Sequence, residues 1–336
     1  MPAIVPLMGA RQQAAFIAQR VLELREEGVP LQEMAVLFRA RFQAAEVELE
    51  LAKRNIPYVV RGGVRFFEQQ HIKDVLAFLR IMVNPHDELA WERILRLQEG
   101  IGRAYARRIW ETIGKAPDPL RKAVEPGKGK AGPLPSRAMA GWERLQRILR
   151  ELTRRSPLTP AEMILTVLRS GYESRLEALF KDARDRQEDL EQLVNLASNY
   201  PAADRFIEEM VLREPFKGES IRGWEEPDEF LVLSTIHQAK GLEWQAVFLI
   251  NLVEGQFPHP KAIGNPTALE EERRLFYVAV TRTKRELYLT YPLTRYSYQR
   301  GEILMRPSLF LQELPEDLFE LWRVTDKAGK LGIPDG

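Results

Sequence analysis

The stretch from Phe230 to Tyr291 alternates apolar runs with polar segments in the order strand, loop, strand, helix, strand. Two apolar runs rich in β-branched residues, Phe230–Ile236 and Ala246–Leu252, each predict a buried strand, and Glu286–Tyr291 predicts a third. The segment Glu270–Arg282 between them predicts a helix. This order is typical of a parallel α/β sheet, whose strand ends commonly carry ligand sites.

The predicted helix carries basic side chains at its end, among them Arg282. An arginine offers a planar fork that grips phosphate oxygens, so Arg282 favours a nucleotide-handling surface. The helix dipole does not attract an anion to this end, and we therefore expect the partner of Arg282 to lie across a domain gap. The alternative is the solvated face of an ordinary helix, made of Arg273, Arg274, Arg282 and Lys284.

Composition narrows the class of protein. A chain of 336 residues suggests two domains, and 45% hydrophobic with 29% charged residues is typical of a globular protein. Because no apolar run approaches the roughly 20 residues of a membrane span, and no signal-peptide pattern opens the chain, we expect no membrane partner and a cytoplasmic location. Cysteine is absent, and the four histidines show no metal-ligand spacing: His71, His86, His237 and His259.

The chain changes character twice. Strands are predicted at Ile4–Leu7 (a short edge strand), Met34–Arg39 and Pro57–Val60, and this α/β block cannot close a sheet without residues 230–310. Between them, Glu88–Glu208 follows helical periodicity almost throughout, which indicates an inserted domain. We predict an α/β domain of residues 1–83 and 227–316, a helical insert of residues 84–226 and a C-terminal tail of residues 317–336.

The charge is unevenly distributed. The net charge is only +1, yet Ile101–Arg155 holds 14 Lys and Arg against 5 Asp and Glu. Such a basic block is the electrostatic footprint expected for a phosphate backbone. The alternative is a solvated linker, since Gly127–Pro135 is flexible in composition.

Two segments, Thr235–Trp244 and Glu270–Lys284, closely resemble motifs V and VI of the UvrD/Rep/PcrA group of superfamily 1 DNA helicases. The resemblance extends back to Ala35–Arg39 and forward to Pro307–Leu314, and between about residues 115 and 208 it rests on order and spacing. It implies a RecA-like parallel sheet, P-loop NTPase-like but without the P-loop, that carries an inserted, mostly helical domain. It also implies an ATP-dependent helicase that moves on single-stranded DNA and unwinds duplex DNA.

The resemblance implies nucleotide contacts for three residues. Arg282 corresponds to the arginine that reaches the γ-phosphate of ATP and stabilises charge during phosphoryl transfer. Glu243 corresponds to the glutamate that holds the ribose hydroxyl, and Gly241 lets its loop approach closely.

The resemblance also implies contacts with single-stranded DNA or the interdomain gap, for Thr235, His237, Lys240 and Arg39. Arg41 and Phe42 replace the small and polar pair that usually follows this arginine in the family. The contacts of this loop with single-stranded DNA are therefore the part of the resemblance that the sequence matches least well.

Inside the insert, Glu99–Gly102 followed by a helix at Ala104–Ile113 looks like the family element that contacts duplex backbone. Gly100 and Gly102 would permit a tight approach, and a helix N-terminus offers free N–H donors to a phosphate. The alternative is an ordinary turn between helices. The basic side chains expected to contact duplex DNA here are Arg103, Arg107 and Arg108.

Aromatic residues and a glycine in Tyr296–Leu304 predict a hairpin after the last strand. Helicases of this group carry at this position a hairpin that meets the first base pair, and an aromatic ring there can stack on a base. We expect Tyr298 to be that residue, with Tyr296 as the second candidate. The alternative is that both rings pack against the sheet as cross-strand pairs.

No phosphate-binding G-x-x-x-x-G-K-[ST] pattern occurs in the sequence. We therefore expect the ligands for ATP phosphates and Mg²⁺ to lie mainly in a first RecA-like domain, which this chain lacks and would need as a partner. The isolated chain is then expected to be inactive. The alternative functions are a non-catalytic DNA-binding or partner subunit with a helicase-like shell, and a nuclease-fused helicase subunit.

Overall fold

The predicted order of strand, loop, strand, helix and strand is present in the structure, a computed structural model. It describes residues 1–62, 64–125, 134–154, 157–211, 229–297, 301–324 and 331–332. Two compact units are formed, one by Met1–Phe66 with Pro215–Gly336 and the other by Phe67–Glu214. We call them the α/β unit and the helical unit. The second is inserted in the chain of the first, while the domain limits given above stay a prediction.

The strands of the described residues all lie in the α/β unit. They are β1 (Ala3–Leu7), β2 (Met34–Phe38), β3 (Tyr58–Arg61), β4 (Leu231–Thr235), β5 (Trp244–Leu249), β6 (Thr283–Pro292), β7 (Thr294–Ser297), β8 (Gly301–Leu304), β9 (Glu320–Leu321), β10 (Arg323–Val324) and β11 (Leu331–Gly332). Seven form one parallel sheet in the order β3-β4-β2-β5-β6-β1-β9. The pairs β7–β8 and β10–β11 are antiparallel.

Strand β2 lies between two strands that follow the helical unit in sequence. Its residue Ala35 pairs with Val232 of β4 and also with Val247 of β5. The prediction that the first α/β block cannot close a sheet without residues 230–310 is therefore confirmed. The prediction of an edge strand at Ile4–Leu7 is wrong, because β1 pairs with β6 on one side and with β9 on the other.

The core of the α/β unit lies on both faces of the sheet. Along β2, Met34, Val36 and Phe38 belong to one buried cluster, while Ala35 and Leu37 belong to the other. Side chains alternate across a strand, so a strand covered on both faces needs a continuous apolar run. This is why the buried strands could be recognised from sequence.

The helices of the described residues occupy both units. They are α1 (Ala10–Glu26), α2 (Ala45–Lys53), α3 (Gln70–Val83), α4 (Glu88–Arg96), α5 (Arg103–Ile113), α6 (Pro119–Val124), α7 (Ser136–Arg154), α8 (Pro160–Val167), α9 (Glu173–Leu179), α10 (Ala183–Ala197), α11 (Ala203–Val211), α12 (Pro266–Val280) and α13 (Leu309–Gln312). Helices α3 to α11 belong to the helical unit, so the predicted helical insert is present. None of the helices described is long and apolar enough to cross a membrane.

Helix α12 begins earlier than predicted. Its cap is Asn265, whose side chain accepts a hydrogen bond of 3.2 Å from the backbone N–H of Ala268, and Pro266 occupies the first turn. An asparagine cap followed by proline is a strong start signal. The acidic residues Glu270–Glu272 therefore lie one turn inside the helix, and the predicted start of the helix at Glu270 is wrong.

Candidate functional site

The sheet has two edges that carry the predicted site residues. We call the edge at which the strands end the carboxyl edge and the opposite one the amino edge. Phe38 at the end of β2 pairs with Thr235 at the end of β4, while Met34 at its start pairs with Ala246 near the start of β5. The segment from residue 236 to 243 therefore runs from one edge to the other, and we call it the crossover segment. At about 3.3 Å per residue, the five-residue β2 separates the edges by about 15 Å.

The crossover segment is anchored by two apolar side chains. Ile236 and Ala239 are fully buried in the cluster that α12 completes. The predicted ligand side chains of the segment, which lie between or after these anchors, are exposed: His237, Lys240 and Glu243. Because buried and exposed positions alternate, the segment stays attached to the core while it presents polar groups to solvent.

Gly241 has a φ of +85°, and a Cβ atom placed on it would meet nothing within 4 Å. The glycine is therefore required by the backbone conformation and not by packing. The space next to it is open, and the close approach of a ligand at this position stays a prediction.

Arg282 lies at the amino edge, next to the crossover segment. Its guanidinium donates hydrogen bonds to the carbonyl oxygens of Leu242 (3.0 Å) and Val278 (2.9 Å) and to Oγ1 of Thr281 (3.0 Å). Its own carbonyl accepts from the N–H of Trp244, at 2.9 Å. Glu243, Gly241 and Arg282 are thus brought together.

All three oxygens that hold the Arg282 side chain are neutral. Among the residues the structure describes, no carboxylate forms an ion pair with it. A half-buried guanidinium held by neutral acceptors keeps its full charge and can attract an anion. Its described partners lie in its own unit, and the expected partner across a domain gap stays a prediction.

At the carboxyl edge, Arg39 follows β2 and forms an ion pair with Glu272 of α12. Its Nε lies 3.0 Å from both carboxylate oxygens, and its Nη2 lies 2.7 Å from one of them. Glu272 is only 6% exposed and also accepts the backbone N–H of His259, at 3.0 Å. The charge of Arg39 is therefore engaged inside the unit, and its predicted contact with DNA stays a prediction.

His237 lies near this ion pair. The surrounding protein, which removes part of the hydration of the ring, and the positive charge of Arg39 together lower its pKa below the usual value of 6.5, and Glu272 acts in the opposite direction. His237 is therefore neutral near pH 7, and its ring can donate or accept a hydrogen bond.

In the helical unit, the two predicted glycines have different surroundings. Gly100 has a φ of +80°, and a Cβ atom there would lie 2.7 Å from the backbone of Arg137 and Ala138 at the start of α7. Gly102 caps α5 and has nothing within 4 Å of its Cβ position. The turn is thus an interhelical packing element at Gly100 and an open surface at Gly102. The exposed basic side chains that follow on α5 are Arg103, Arg107 and Arg108.

The hairpin predicted after the strand at Glu286–Tyr291 is confirmed, because β7 and β8 pair in antiparallel fashion. Tyr296 of β7 lies opposite Glu302 and is 47% exposed. Tyr298, the preferred candidate, lies outside the described residues. The role of either ring at a DNA junction stays a prediction.

Glu272 is the site residue that sequence reasoning missed. It shares one helix face with Phe276 and Ala279, both buried, at spacings of four and three residues. Helical periodicity would therefore have identified it as a buried carboxylate in need of a cation. Within the described ranges, no group of three or more acidic, histidine or cysteine side chains could hold a metal ion.

A parallel sheet with a helical unit inserted in its chain, and with motif V-like and motif VI-like segments joined at the amino edge, defines the second RecA-like domain of a UvrD-type helicase. The model of the UvrD-like helicase C-terminal domain matches residues 5–117 and 136–294. The chain belongs to this family.

Two similar proteins support the same assignment. The chain is 30% identical over 325 residues to a protein named ATP-dependent DNA helicase PcrA from Staphylococcus epidermidis, covering 93% of this chain and 44% of that protein. It is 33% identical over 317 residues to a protein named DNA helicase II from Haemophilus influenzae, and the match covers 92% of this chain and 43% of that protein. The chain therefore spans less than half the length of these relatives.

Proposed function

We propose that this chain is the C-terminal part of an ATP-dependent DNA helicase that translocates on single-stranded DNA and unwinds duplex DNA. The observation that carries the proposal is the position of Arg282. Its guanidinium has no carboxylate partner among the described residues and lies against the crossover segment one residue before Glu243. This is the arrangement that a nucleotide bound at the amino edge would need.

In this proposal Arg282 contacts the γ-phosphate of ATP and stabilises the charge that develops during phosphoryl transfer. Glu243 accepts a hydrogen bond from the ribose hydroxyl, and Gly241 leaves room for the sugar. The ligands of the phosphates and of Mg²⁺ belong to the first RecA-like domain of the intact enzyme. Mg²⁺ would neutralise charge on the phosphate oxygens there.

The carboxyl edge is then the side for single-stranded DNA, with Thr235 and His237 as contacts and Lys240 on the connection between the edges. Arg39 holds Glu272 and so fixes the middle of α12 near these contacts. The crossover segment and α12 both run between the two edges. A change in nucleotide at one edge can therefore reach the DNA contacts at the other through two packed elements.

The test compares the isolated chain with the intact protein. The isolated chain is expected to show no DNA-stimulated ATP hydrolysis, since the ligands of the ATP phosphates lie elsewhere. In the intact protein, Arg282→Ala should lower kcat by about three orders of magnitude with a much smaller change in nucleotide affinity. Arg285→Ala is the matched control, because Arg285 is exposed on β6 and has no place in the proposed site.

Hydrolysis by the isolated chain that survives repurification would contradict the assignment of the phosphate ligands to another domain. Equal losses from Arg282→Ala and Arg285→Ala would contradict the role of Arg282. A loss of nucleotide affinity as large as the loss in kcat would make Arg282 a ground-state ligand only.

A further inference from the structure

Thr281 provides the only side chain of the described residues that forms a hydrogen bond with the guanidinium of Arg282. Its Oγ1 accepts from Nη2 of Arg282, at 3.0 Å. The other two acceptors of the guanidinium are backbone carbonyl oxygens, those of Val278 and Leu242. Thr281 is the residue that ends helix α12, and it has no place in the function proposed above.

The hydroxyl group of Thr281 has to donate and accept at the same time. Its Oγ1 lies 2.9 Å from the carbonyl oxygen of Tyr277 and 3.0 Å from that of Val278, both in the last turn of α12. A carbonyl oxygen only accepts and a guanidinium only donates. The hydroxyl hydrogen is therefore directed to the helix, and a lone pair of the same oxygen is directed to Arg282.

Three contacts fix the orientation of the guanidinium plane. Nε of Arg282 donates to Val278, Nη1 donates to Leu242 and Nη2 donates to Thr281. Three points define a plane, whereas contacts at two nitrogens leave a rotation about the line that joins them. Without the hydroxyl of Thr281, the Nη2 end of the guanidinium would therefore turn about the line from Nε to Nη1.

The same three contacts leave part of the guanidinium available to a ligand. Arginine has five N–H donors, one on Nε and two on each Nη. Each nitrogen of Arg282 uses one of them, so each Nη keeps one N–H without a partner among the described residues. Two donors on one planar group can bind two oxygens of one phosphate. Their direction depends on the plane that Thr281 completes.

The hydroxyl can be removed without leaving a carbonyl oxygen of α12 unsatisfied. The carbonyl oxygen of Tyr277 also accepts the backbone N–H of Thr281, at 3.1 Å. The carbonyl oxygen of Val278 also accepts Nε of Arg282, at 2.9 Å. Because valine has the shape of threonine, Thr281→Val removes mainly the contact with Nη2.

We propose that Thr281 is a positioning residue for ATP hydrolysis, which holds Arg282 in the plane in which its two remaining donors reach the γ-phosphate. The inference rests on the proposed function, because it assigns that phosphate to Arg282. Thr281 itself contacts no substrate and acts through the arginine.

The first experiment measures DNA-stimulated ATP hydrolysis by the intact protein. Thr281→Val should lower kcat by about tenfold or more and change KM for ATP less than about twofold, because a turned guanidinium loses contacts that strengthen in the transition state. Thr281→Ser keeps the hydroxyl and should retain most of kcat.

Thr283→Val is the matched control for Thr281→Val. The same substitution, two residues further along the chain, removes a buried hydroxyl that has no hydrogen-bond partner among the described residues. It should change kcat less than about twofold.

A double variant shows whether Thr281 acts through Arg282. In a protein that already carries Arg282→Ala, Thr281→Val should lower kcat no further, since the group that it positions is gone. A role of Thr281 in the fold alone would give a further loss.

The second experiment uses the 336-residue chain and does not depend on ATP hydrolysis. NMR measures the rotation of the Arg282 guanidinium about its Nε–Cζ bond, and the signal is assigned by its absence from Arg282→Ala. The rotation should be several-fold faster in Thr281→Val than in the unchanged chain, while Thr281→Ser and Thr283→Val should leave it slow.

Four results would overturn the proposal: an unchanged kcat in Thr281→Val, an equal loss in Thr283→Val, a further loss on top of Arg282→Ala, or an unchanged rotation of the guanidinium in Thr281→Val. Failure of the proposed function gives a different pattern, in which Arg282→Ala itself leaves kcat unchanged. The positioning role in hydrolysis would then be wrong as well, while the rotation measurement would still report whether Thr281 holds Arg282.

Discussion

Arg39 and Glu272 form a two-pronged ion pair at 2.7–3.0 Å, although 233 residues separate them in sequence. The pair joins the end of β2, which precedes the helical unit, to α12, which follows it. It is a polar contact, next to a shared apolar cluster, through which the first segment of the chain holds the helix that leads to Arg282.

We expect Arg39→Ala to lower the free energy of unfolding by about 3 kcal/mol, because it leaves Glu272 buried with only the N–H of His259 as a described partner. This is the lower end of the range for breaking a buried pair, since Arg39 is partly exposed. Urea denaturation measures the change. Arg25→Ala is the control, because the pair of Arg25 with Glu229 is exposed and worth less than about 1 kcal/mol.

A double-mutant cycle measures the interaction energy between Arg39 and Glu272 separately from the contacts that each makes with other residues. Arg39→Ala/Glu272→Ala should cost clearly less than the sum of the two single variants. Additive costs would mean that the two side chains do not interact in solution.

The lowered pKa of His237 predicts that the stability of the folded protein depends on pH. Because its pKa in the folded protein is below the usual value of 6.5, the unfolded chain binds the proton more readily. The stability contribution is therefore complete above about pH 6.5 and decreases as the pH falls toward the folded-state pKa. As the pH is lowered from about 8 to about 5, the urea concentration at the unfolding midpoint should decrease more steeply for the unchanged chain than for His237→Asn.

The same geometry gives a spectroscopic control. Arg39→Gln removes one of the two causes that lower the pKa of His237, so the NMR titration of its ring should move to higher pH. An unchanged titration would mean that Arg39 does not lie near the ring.

A side chain added at two different glycines of the helical unit should change the stability of the protein in different ways. Gly141→Ala should destabilise the protein by about 1–3 kcal/mol, because the new Cβ atom meets the backbone of Glu99. Gly102→Ser should be neutral or slightly stabilising, since the position is open and serine is a good helix cap. Thermal unfolding distinguishes the two, and a loss at Gly102 as large as that at Gly141 would contradict the packing described.

The hairpin gives a prediction about unwinding. In the intact enzyme, Tyr298→Ala should impair duplex unwinding while single-strand-stimulated ATPase activity stays intact, because stacking on the first base pair lowers the cost of opening it. Tyr296→Ala is the comparison, and a stronger effect there would move the assignment to Tyr296. Loss of both activities together, or of neither, would contradict the role of the hairpin.

The strands of the sheet could be predicted because they are buried on both faces and therefore read as unbroken apolar runs. Their order could not be predicted from periodicity, since the position of β2 between β4 and β5 depends on pairing between distant segments. The helical unit could be recognised as one helical stretch, but the separate bounds of its helices α6, α9 and α11 were not predicted.

The candidate site, too, could be predicted from the sequence only in part. The residues Glu243, Gly241 and Arg282 were found from their motifs, and the structure brings them together. That they lie at the amino edge, with Arg39 and Thr235 at the other, depends on the path of the crossover segment. Such a path is set by tertiary packing of Ile236 and Ala239, which no local pattern encodes.

The position of β2 also has a consequence for synthesis of the chain. About 190 residues separate Phe38 from Leu231, the first residue of the neighbouring β4. A ribosome that adds about 5–20 residues per second needs about 10–40 s to make them. During this time β2, apolar on both faces, has neither neighbour, and an unpaired strand edge invites pairing with other chains. The strand therefore gains its two sheet neighbours only after the whole helical unit has been made.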